Sequence, residues 1–399
     1  MILRPDYIQA IRPFIDKPLV KILAGVRRCG KSTIFEMLRE ELLRRGVPAE
    51  RILSKRYTEM DIPENITAKQ MYDELVAAMA GKGKCYLLLD EIQEIDGWER
   101  AVNSLLEGGQ ADLYVTGSNS KLMSSEISTY LTGRFVSIPV YTLSFREYLA
   151  FKKESPLSCK ELLEEYIRFG GFPIVALGEY EAQSAYQIVN GIYYTVVSRD
   201  IVKRHRIQKQ DLFDRVVKYV IENMGKTFSA SSISNFLKSE HRSVSVETIY
   251  NYLRWLEQAF IIFPCERYDL QGKSILKTQE KYYLADVSLK YALLGYNRTM
   301  LDGALENIVF LELKRRGYEV FIGKNAAKEI DFVATRRDEK IYVQVCVQLP
   351  VNSDREVGNL MEIRDHYPKY VVTWNEMDTG IENGIKIVHL MDFLLAEHW

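Results

Sequence analysis

Eight residues of this sequence have the types and the spacing of a phosphate-binding loop. Residues 25–32 read Gly-Val-Arg-Arg-Cys-Gly-Lys-Ser, which matches the pattern G-x-x-x-x-G-K-[ST]. In such a loop the glycines let backbone N–H groups surround phosphates, the lysine reaches the β- and γ-phosphates, and the serine hydroxyl binds Mg²⁺. An apolar run, Leu19–Leu23, precedes the loop and a helical pattern, Thr33–Arg44, follows it, as this chemistry requires. The predicted nucleotide contacts here are Gly25, Arg28, Cys29, Gly30, Lys31, Ser32 and Thr33.

Two adjacent carboxylates end the next strand pattern. Residues 86–91 read Tyr-Leu-Leu-Leu-Asp-Glu, and the apolar run indicates a central parallel strand whose carboxyl end lies where ligands bind. We expect Asp90, with Ser32, to hold Mg²⁺ and Glu91 to polarise the water that attacks the γ-phosphate. A solvated strand end is the other interpretation of an Asp-Glu pair, but the phosphate loop about sixty residues earlier favours catalysis.

Polar residues at two further strand patterns complete the predicted site. The pattern Asp112–Thr116 runs into Gly-Ser-Asn-Ser, where Asn119 or Ser118 could orient the attacking water and where a simple turn is the alternative. Arg134 precedes the strand pattern Val136–Val140. An arginine there would point toward a neighbouring subunit's nucleotide and act as an arginine finger, unless it merely begins a strand. The predicted catalytic residues are Glu91, Asn119 and Arg134.

In this order, the motifs resemble a group of prokaryotic AAA-type ATPases. The resemblance also rests on Leu-Leu-Asp-Glu-Ile-Gln at 88–93, Leu-Thr-Gly-Arg at 131–134, Leu-Ser-Phe-Arg-Glu-Tyr at 143–148 and Gly-Gly-Phe-Pro at 170–173, and covers nearly the whole chain. It implies an α/β fold with a P-loop core of sheet order 5-1-4-3-2, a helical lid and a nuclease-like C-terminal domain. It also implies ATP and Mg²⁺ as cofactors and a ring-shaped or other homo-oligomer, a hexamer among the forms.

A helical lid is predicted in the patterns Cys159–Phe169 and Glu181–Arg206. In similar lids a Gly-x-Pro turn lies against the adenine, which would place Pro173 at the nucleotide. A plain turn between helices explains the same residues. Arg199 could face the γ-phosphate from the lid, although three neighbouring cations compete for that role: Lys203, Arg204 and Arg206.

The middle of the chain has the element order of a winged helix. A helix at Leu212–Asn223 precedes a helix–turn–helix pattern, and two strand patterns, Phe260–Cys265 and Lys281–Leu284, flank a basic loop, Asp269–Glu280. In that fold the second helix of the pair enters the major groove and the wing contacts the DNA backbone. The predicted DNA contacts are Arg242, Ser245, Thr248, Asn251, Arg254, Lys273 and Lys277, with Lys281 on the same wing. Many winged helices bind proteins instead.

From about Gly303, the chain resembles a nuclease core that spaces its carboxylates as E…D…ExK. Glu306 and Asp331 fit the first two positions. The ExK positions hold Gln344 and Cys346, so a metal-binding charge and the ammonium that activates water are missing. We expect no cleavage of nucleic acid by this domain and a role in DNA contact or subunit packing instead.

Length and composition limit the function classes. A chain of 399 residues exceeds one ordinary core, and the patterns divide it into an ATPase core (1–145), a lid (146–210), a winged helix (211–300) and a nuclease-like domain (301–399). The net charge of −1 means that nucleic-acid binding would need a local patch. Five scattered cysteines indicate neither a zinc site nor disulfides, and no apolar run reaches the ~18 residues of a membrane helix. These features predict a cytoplasmic protein.

The sequence therefore predicts a Mg²⁺-dependent ATPase that oligomerises and binds or remodels DNA, as a translocase or a motor on branched DNA. The alternative is an ATP-switched signalling or defence regulator that binds protein partners.

Overall fold

The structure, a computed structural model, describes residues 2–59, 62–63, 65–123, 125–272, 274–297, 301–326, 328–350 and 355–399. It contains two units. The first comprises Met1–Val140 with Gln258–Phe260, and the second comprises Tyr141–Glu257 with Ile261–Trp399. Among the described residues, no helix combines the length and the apolar character of a membrane span.

A parallel five-stranded sheet is the centre of the first unit. Its strands are β1 (Val20–Ala24), β2 (Ile52–Arg56), β3 (Cys85–Asp90), β4 (Ala111–Gly117) and β5 (Phe135–Pro139). Their order, β2-β3-β4-β1-β5, is the predicted order 5-1-4-3-2 read from the other edge, and the α/β class is confirmed. Strands β1, β3 and β4 are buried along their whole length, which explains their short apolar runs in the sequence.

Helices join and flank these strands. They are α1 (Pro5–Ile11), α2 (Lys31–Arg44), α3 (Ala68–Met79), α4 (Trp98–Glu107) and α5 (Ser125–Tyr130), with 3₁₀ turns at Arg12–Phe14, Ala49–Arg51, Ile92–Glu94 and Ser120–Met123. Helix α3 begins with a capping box in which the Thr67 hydroxyl accepts from the Gln70 N–H and the Gln70 side chain accepts from the Thr67 N–H.

The second unit begins with helices, and further helices follow or lie between its strands. They are α6 (Phe145–Phe151), α7 (Cys159–Phe169), α8 (Pro173–Leu177), α9 (Ala182–Thr195), α10 (Gln210–Glu222), α11 (Ala230–Ser239), α12 (Val246–Gln258), α13 (Ser288–Leu294), α14 (Leu301–Arg315), α15 (Arg355–Met361) and α16 (Leu390–Leu395). Helix α9 continues into a π-helical stretch, Val196–Lys203, and a 3₁₀ turn lies at Glu376–Asp378.

An eight-stranded mixed sheet completes the second unit. Its strands are β6 (Ile262–Asp269), β7 (Ser274–Leu284), β8 (Glu319–Asn325), β9 (Lys328–Arg336), β10 (Glu339–Cys346), β11 (Lys369–Thr373), β12 (Gly380–Glu382) and β13 (Ile385–His389). Their order is β12-β13-β11-β10-β9-β8-β6-β7.

The hairpin of β6 and β7 differs from the predicted wing. The segment expected to be a long loop, Asp269–Glu280, is mostly strand, because β7 already begins at Ser274. Strand β6 also pairs in parallel with β8 through Arg267–Asp269, so the hairpin belongs to the same sheet as the nuclease-like strands. The sequence alone could not show this, because the partner strand lies about fifty residues further along the chain.

A charged pair lies inside the first unit's sheet. Lys21 in β1 is fully buried, and its ammonium donates to the Asp112 carboxylate of β4 and to the Lys17 carbonyl at 3.0 Å. Burial lowers the pKa of Lys21, and the nearby Asp112 charge opposes that effect. The Tyr114 hydroxyl and the Asp16 N–H also donate to Asp112, at 2.7 and 2.9 Å. The Lys21–Asp112 pair therefore joins the neighbouring strands β1 and β4, and the hydrogen-bond partners named here all belong to the chain itself.

Replacing Lys21 with methionine should destabilise the first unit by about 3 kcal/mol, because the Asp112 carboxylate would stay buried without its counter-ion. Thermal and denaturant unfolding would measure the loss. The double variant Lys21→Met/Asp112→Asn should recover part of the stability, since the uncompensated charge is removed. A double variant no more stable than Lys21→Met would contradict this account of the pair.

Candidate functional site

The loop between β1 and α2 has glycine at two positions that other residues would strain. A Cβ on Gly25 would lie 1.9 Å from the Val140 carbonyl oxygen. Gly30, at the amino end of α2, has a φ of 102°, in the left-handed region that favours glycine. Arg28 also has a positive φ, of 68°. The loop thus turns tightly into the helix, as a cradle for phosphates requires.

Lys31 and Ser32 begin α2 on the inner side of this loop. The Lys31 ammonium donates to the carbonyls of Gly25 and Val26 at 2.9 and 3.2 Å and lies 3.8 Å from the Glu91 carboxylate. The Ser32 hydroxyl donates to the Asp90 carboxylate at 2.6 Å. The Lys31 ammonium therefore lies at the amino end of α2 beside two oxygen groups of the kind that bind Mg²⁺, the Ser32 hydroxyl and the Asp90 carboxylate. These donors and the glycine cradle fit a nucleotide with Mg²⁺.

Three different segments donate to the buried carboxylate of Asp90. Oδ2 accepts from Ser32 and from Nε of Arg56, the latter at 3.0 Å, and Oδ1 accepts from the Thr116 hydroxyl. Arg56 ends β2 in register with Asp90, and Thr116 lies in β4 on the other side of β3. The carboxyl ends of three neighbouring parallel strands thus converge on one side chain.

Glu91 follows Asp90 in a strained backbone conformation, with a φ of 55°. Its N–H donates to the Thr116 hydroxyl at 3.0 Å, and its carboxylate accepts from the Gln93 amide and, at 3.1 Å, from the Ser118 hydroxyl. Burial alone would raise the pKa of Glu91, but Lys31, the Gln93 amide and other donors outweigh it and hold the pKa below its ordinary value. The carboxylate is therefore ionised and fixed in direction.

Comparisons with known proteins agree with this geometry. Residues 17–149 match the family described as AAA domain. An uncharacterised protein of Haemophilus influenzae is 36% identical over 399 residues, which cover 99% of each chain. The chain belongs to the AAA-type P-loop ATPases. Residues 160–299 of this AAA-type ATPase match a domain of unknown function (DUF8612).

Two further similarities extend the comparison. An uncharacterised protein of Methanocaldococcus jannaschii is 31% identical to this AAA-type ATPase over 361 residues, 85% of this chain and 77% of that one. The structure is similar to that of the Walker-type ATPase PABY2304 of Pyrococcus abyssi, with a TM-score of 0.53 and 15% identity over 73% of this chain and 96% of that one. At that identity the similarity supports the fold alone.

Of the two polar candidates after β4, Ser118 contacts Glu91. Asn119 is buried, and its side-chain oxygen accepts from the Lys121 N–H at 2.8 Å at the start of a 3₁₀ turn. That bond belongs to the turn considered as the alternative for this segment. The role of Asn119 toward the attacking water stays a prediction, while the contact with the Glu91 carboxylate is made by Ser118.

Arg134 lies at the amino end of β5, whereas the phosphate loop and Asp90 lie at the carboxyl ends of the strands. A five-residue strand separates these two edges by roughly 16 Å. The Arg134 guanidinium donates to the Asn103 side chain at 3.0 Å and pairs with Glu107 at 3.1 Å, and its side chain is 37% exposed. Arg134 therefore cannot reach the phosphate loop of its own unit.

Two arginines of this AAA-type ATPase were not predicted. Arg4 is 1% exposed, and its guanidinium donates to the Cys29 carbonyl at 2.8 Å beneath the phosphate loop and lies 4.5 Å from the Tyr7 ring centroid. No local pattern marks Arg4, since its contact lies 25 residues away. Arg56 ends a strand beside that of Asp90, and this position could have identified it.

The second unit contains the candidates for adenine and γ-phosphate contact. Pro173 is the first residue of α8, a favourable position for proline. The preceding Gly171 N–H donates to the buried Asp286 carboxylate at 2.8 Å, and a Cβ on Gly170 would lie 1.7 Å from an Asp286 oxygen. The contact with Asp286 thus explains the glycines of this turn without a nucleotide. Arg199 is exposed in the π-helical stretch, and the nucleotide roles of both residues stay predictions.

Five of the seven residues predicted to contact DNA lie on or near α12. The Ser245 hydroxyl accepts from the Thr248 N–H at 3.1 Å at the start of α12, so both residues help to begin the helix. Arg242 pairs with Asp211, and the Arg254 guanidinium donates to the Asn251 side chain at 2.8 Å. Lys273 lies outside the described residues, and only the backbone of Lys277 is described, within β7.

The prediction that Lys281 is an exposed lysine of the wing is wrong. It is buried among carboxylates in the second unit. The hairpin continues into a packed sheet rather than projecting into solvent at this position, so Lys281 cannot contact a DNA backbone.

Replacing Gln93 with leucine should lower kcat for ATP hydrolysis about tenfold or more with little change in KM, because Glu91 would lose a donor that directs its carboxylate. Steady-state kinetics would measure both constants. Gln110→Leu, at an exposed glutamine, is the matched control and should behave as the wild type. Equal losses in both variants, or a rise in KM alone, would contradict a positioning role for Gln93.

Proposed function

We propose that this protein hydrolyses ATP with Mg²⁺ as an oligomer and couples hydrolysis to the binding or remodelling of DNA. The observation that carries the ATPase proposal is the convergence of Lys31, Ser32, Asp90 and Glu91 at one sheet edge. These four side chains supply a phosphate-binding cation, two oxygen ligands and an ionised base.

Each of these side chains has a distinct role in the proposed reaction. Ser32 and Asp90 would hold Mg²⁺, which when bound neutralises charge on the phosphates. The Lys31 ammonium would bind the β- and γ-phosphates from the helix amino end. The Glu91 carboxylate, ionised and held by Gln93 and Ser118, would accept the proton of the attacking water.

The position of Arg134 supports action between subunits. Its guanidinium lies at the sheet edge opposite the phosphate loop, and it is partly exposed while paired with Glu107. A neighbouring subunit whose nucleotide faced this edge would receive an arginine finger, and a cation there stabilises charge on the transferred phosphoryl group. Glu107 would then release Arg134 on assembly.

The DNA proposal rests on the helix α12 and its exposed polar residues. Helices α10, α11 and α12 followed by a hairpin have the order of a winged helix, and Arg254 on α12 is exposed. Its partner Asn251 is a neutral side chain, so a phosphate or a base edge can compete for the guanidinium.

One observation favours the alternative, a nucleotide-switched regulator that binds protein. Two arginines of this region are paired with carboxylates, Arg242 with Asp211 and Arg215 with Glu240. Meanwhile Tyr250, on α12, is 58% exposed. Arginines already paired with carboxylates are less available to phosphates, and an exposed tyrosine is a residue type enriched in protein interfaces.

Mixing two inactive variants should restore ATPase activity if Arg134 acts between subunits. Arg134→Ala keeps an intact phosphate loop and base, whereas Glu91→Gln binds ATP but lacks the base. In mixed oligomers, Arg134→Ala sites would receive an intact Arg134 from Glu91→Gln subunits. We expect hydrolysis in the mixture to exceed that of either variant several-fold.

The control for this mixing experiment is Arg134→Ala combined with the double variant Arg134→Ala/Glu91→Gln, which supplies no finger. Recovery of ATPase activity in the control mixture would show that Arg134 does not act between subunits. The same conclusion would follow if the first mixture formed mixed oligomers but recovered no ATPase activity.

Duplex or four-way-junction DNA should stimulate ATP hydrolysis, and the stimulation should fall as salt rises. Arg254→Ala should weaken the apparent DNA affinity several-fold and reduce the salt slope by about one, without changing the DNA-free rate. Arg215→Ala removes an equal charge already paired with Glu240 and serves as the control. A rate indifferent to every DNA at low salt would favour the regulator.

A further inference from the structure

Three carboxylates in the second unit surround one lysine. The Lys281 ammonium, from β7, lies 3.3 Å from a Glu306 oxygen, 2.9 Å from a Glu329 oxygen and 3.8 Å from an Asp331 oxygen. The Lys281 side chain is only 5% exposed. We call these four residues the Lys281 cluster. They come from the hairpin, from helix α14 and from strand β9.

The cluster lies where the nuclease resemblance would place a metal ion. Glu306 and Asp331 are the residues that fit the first two positions of the E…D…ExK pattern. In an active site of that pattern, carboxylates from the helix and the neighbouring strands share a divalent cation. Here the space between Glu306 and Asp331 is taken by the Lys281 ammonium, together with a third carboxylate, Glu329, that the sequence pattern did not indicate.

The remaining positions of the pattern serve the fold. The Gln344 side-chain oxygen accepts from the Asp331 N–H at 3.0 Å, and the Val345 N–H donates to the Asp331 carboxylate at 2.8 Å. Cys346 is packed in an apolar cluster that includes Ile330 and Leu360. One Asp331 oxygen is therefore used by the backbone of β10, and only the other faces Lys281.

The charges favour an ammonium over an empty acidic cleft. Burial by itself would lower the pKa of Lys281, but Glu306, Asp331 and Glu329 reverse this effect and hold the pKa above its ordinary value. Burial, followed by repulsion from Glu306, raises the pKa of Asp331. The Tyr283 hydroxyl donates to Glu306 at 3.0 Å and helps to stabilise the negative charge of that carboxylate. Without Lys281, three close carboxylates would face one another.

We propose that the Lys281 ammonium takes the place of the divalent cation in this nuclease-like site, so that the domain is held together by its own lysine and does not take up Mg²⁺ or Mn²⁺. The residues do not fit the metal that the resemblance implies, because a tethered cation occupies the point toward which the carboxylates turn.

The test is to remove the lysine and count bound metal. Full-length wild type, Lys281→Ala and Lys281→Arg would be titrated with Mn²⁺ without nucleotide, and bound Mn²⁺ would be measured by electron paramagnetic resonance. We expect Lys281→Ala to bind one more Mn²⁺ per chain than the wild type. Without the ammonium, the oxygens of the three carboxylates are free to act as ligands, and a divalent cation prefers such oxygens. Lys281→Arg, which keeps the charge, should match the wild type.

Thermal unfolding provides the second measurement. Lys281→Ala should be less stable than the wild type without metal and should recover with millimolar Mn²⁺, whereas the wild type should not respond through this site. Adding Asp331→Asn to Lys281→Ala should abolish both the extra Mn²⁺ and the recovery. That variant also distinguishes this site from the Asp90 site, which it leaves intact.

Two results would overturn the proposal. One is a folded Lys281→Ala protein that binds no additional Mn²⁺. The other is a wild-type protein that already holds a Mn²⁺ which Asp331→Asn removes. If Lys281→Ala does not fold, Lys281→Met, which keeps the apolar stem, takes its place with the same expected gain and the same contradicting results.

Discussion

The carboxylate of Asp90 receives hydrogen bonds from the start of a helix and from the ends of two neighbouring strands. A buried carboxylate is costly unless such donors surround it, so the side chain can lie here only while all three segments keep their places. The parallel order of the sheet meets that condition, because it aligns the carboxyl ends of β2, β3 and β4. The same alignment then brings Lys31 and Glu91 within reach of one another.

The two units contain buried carboxylates with contrasting partners. Asp112, Glu306 and Asp331 each lie against a lysine of the chain itself, which makes these carboxylates permanent parts of the fold. Asp90 accepts hydrogen bonds from two hydroxyls and pairs with the half-exposed Arg56, whose guanidinium can move away. A carboxylate with exchangeable partners suits a site that binds and releases a charged ligand, whereas a tethered lysine suits a site that does not.

Much of the fold could be predicted because the determining patterns are local. The bounds of α7 follow from its periodicity and capping box, and the loop before α2 follows from its two glycines. Other features depend on distant partners. The burial of Lys281 is set by carboxylates on α14 and β9. The contact of Arg4 with the phosphate loop is not indicated by any pattern in the residues next to Arg4. The contact of Ser118 rather than Asn119 with Glu91 depends on which side chain turns toward β3.

The pairing of β6 with β8 bears on how this protein can be divided. A cut near residue 300 runs through one continuous sheet. The amino-terminal fragment would expose the unpaired edge of β6, and the carboxyl-terminal fragment would keep Glu306, Glu329 and Asp331 but lose the lysine among them. The helical segment with its hairpin and the nuclease-like strands therefore share one sheet, and a chimera that replaced either part would have to supply both a matching strand edge and a counter-ion.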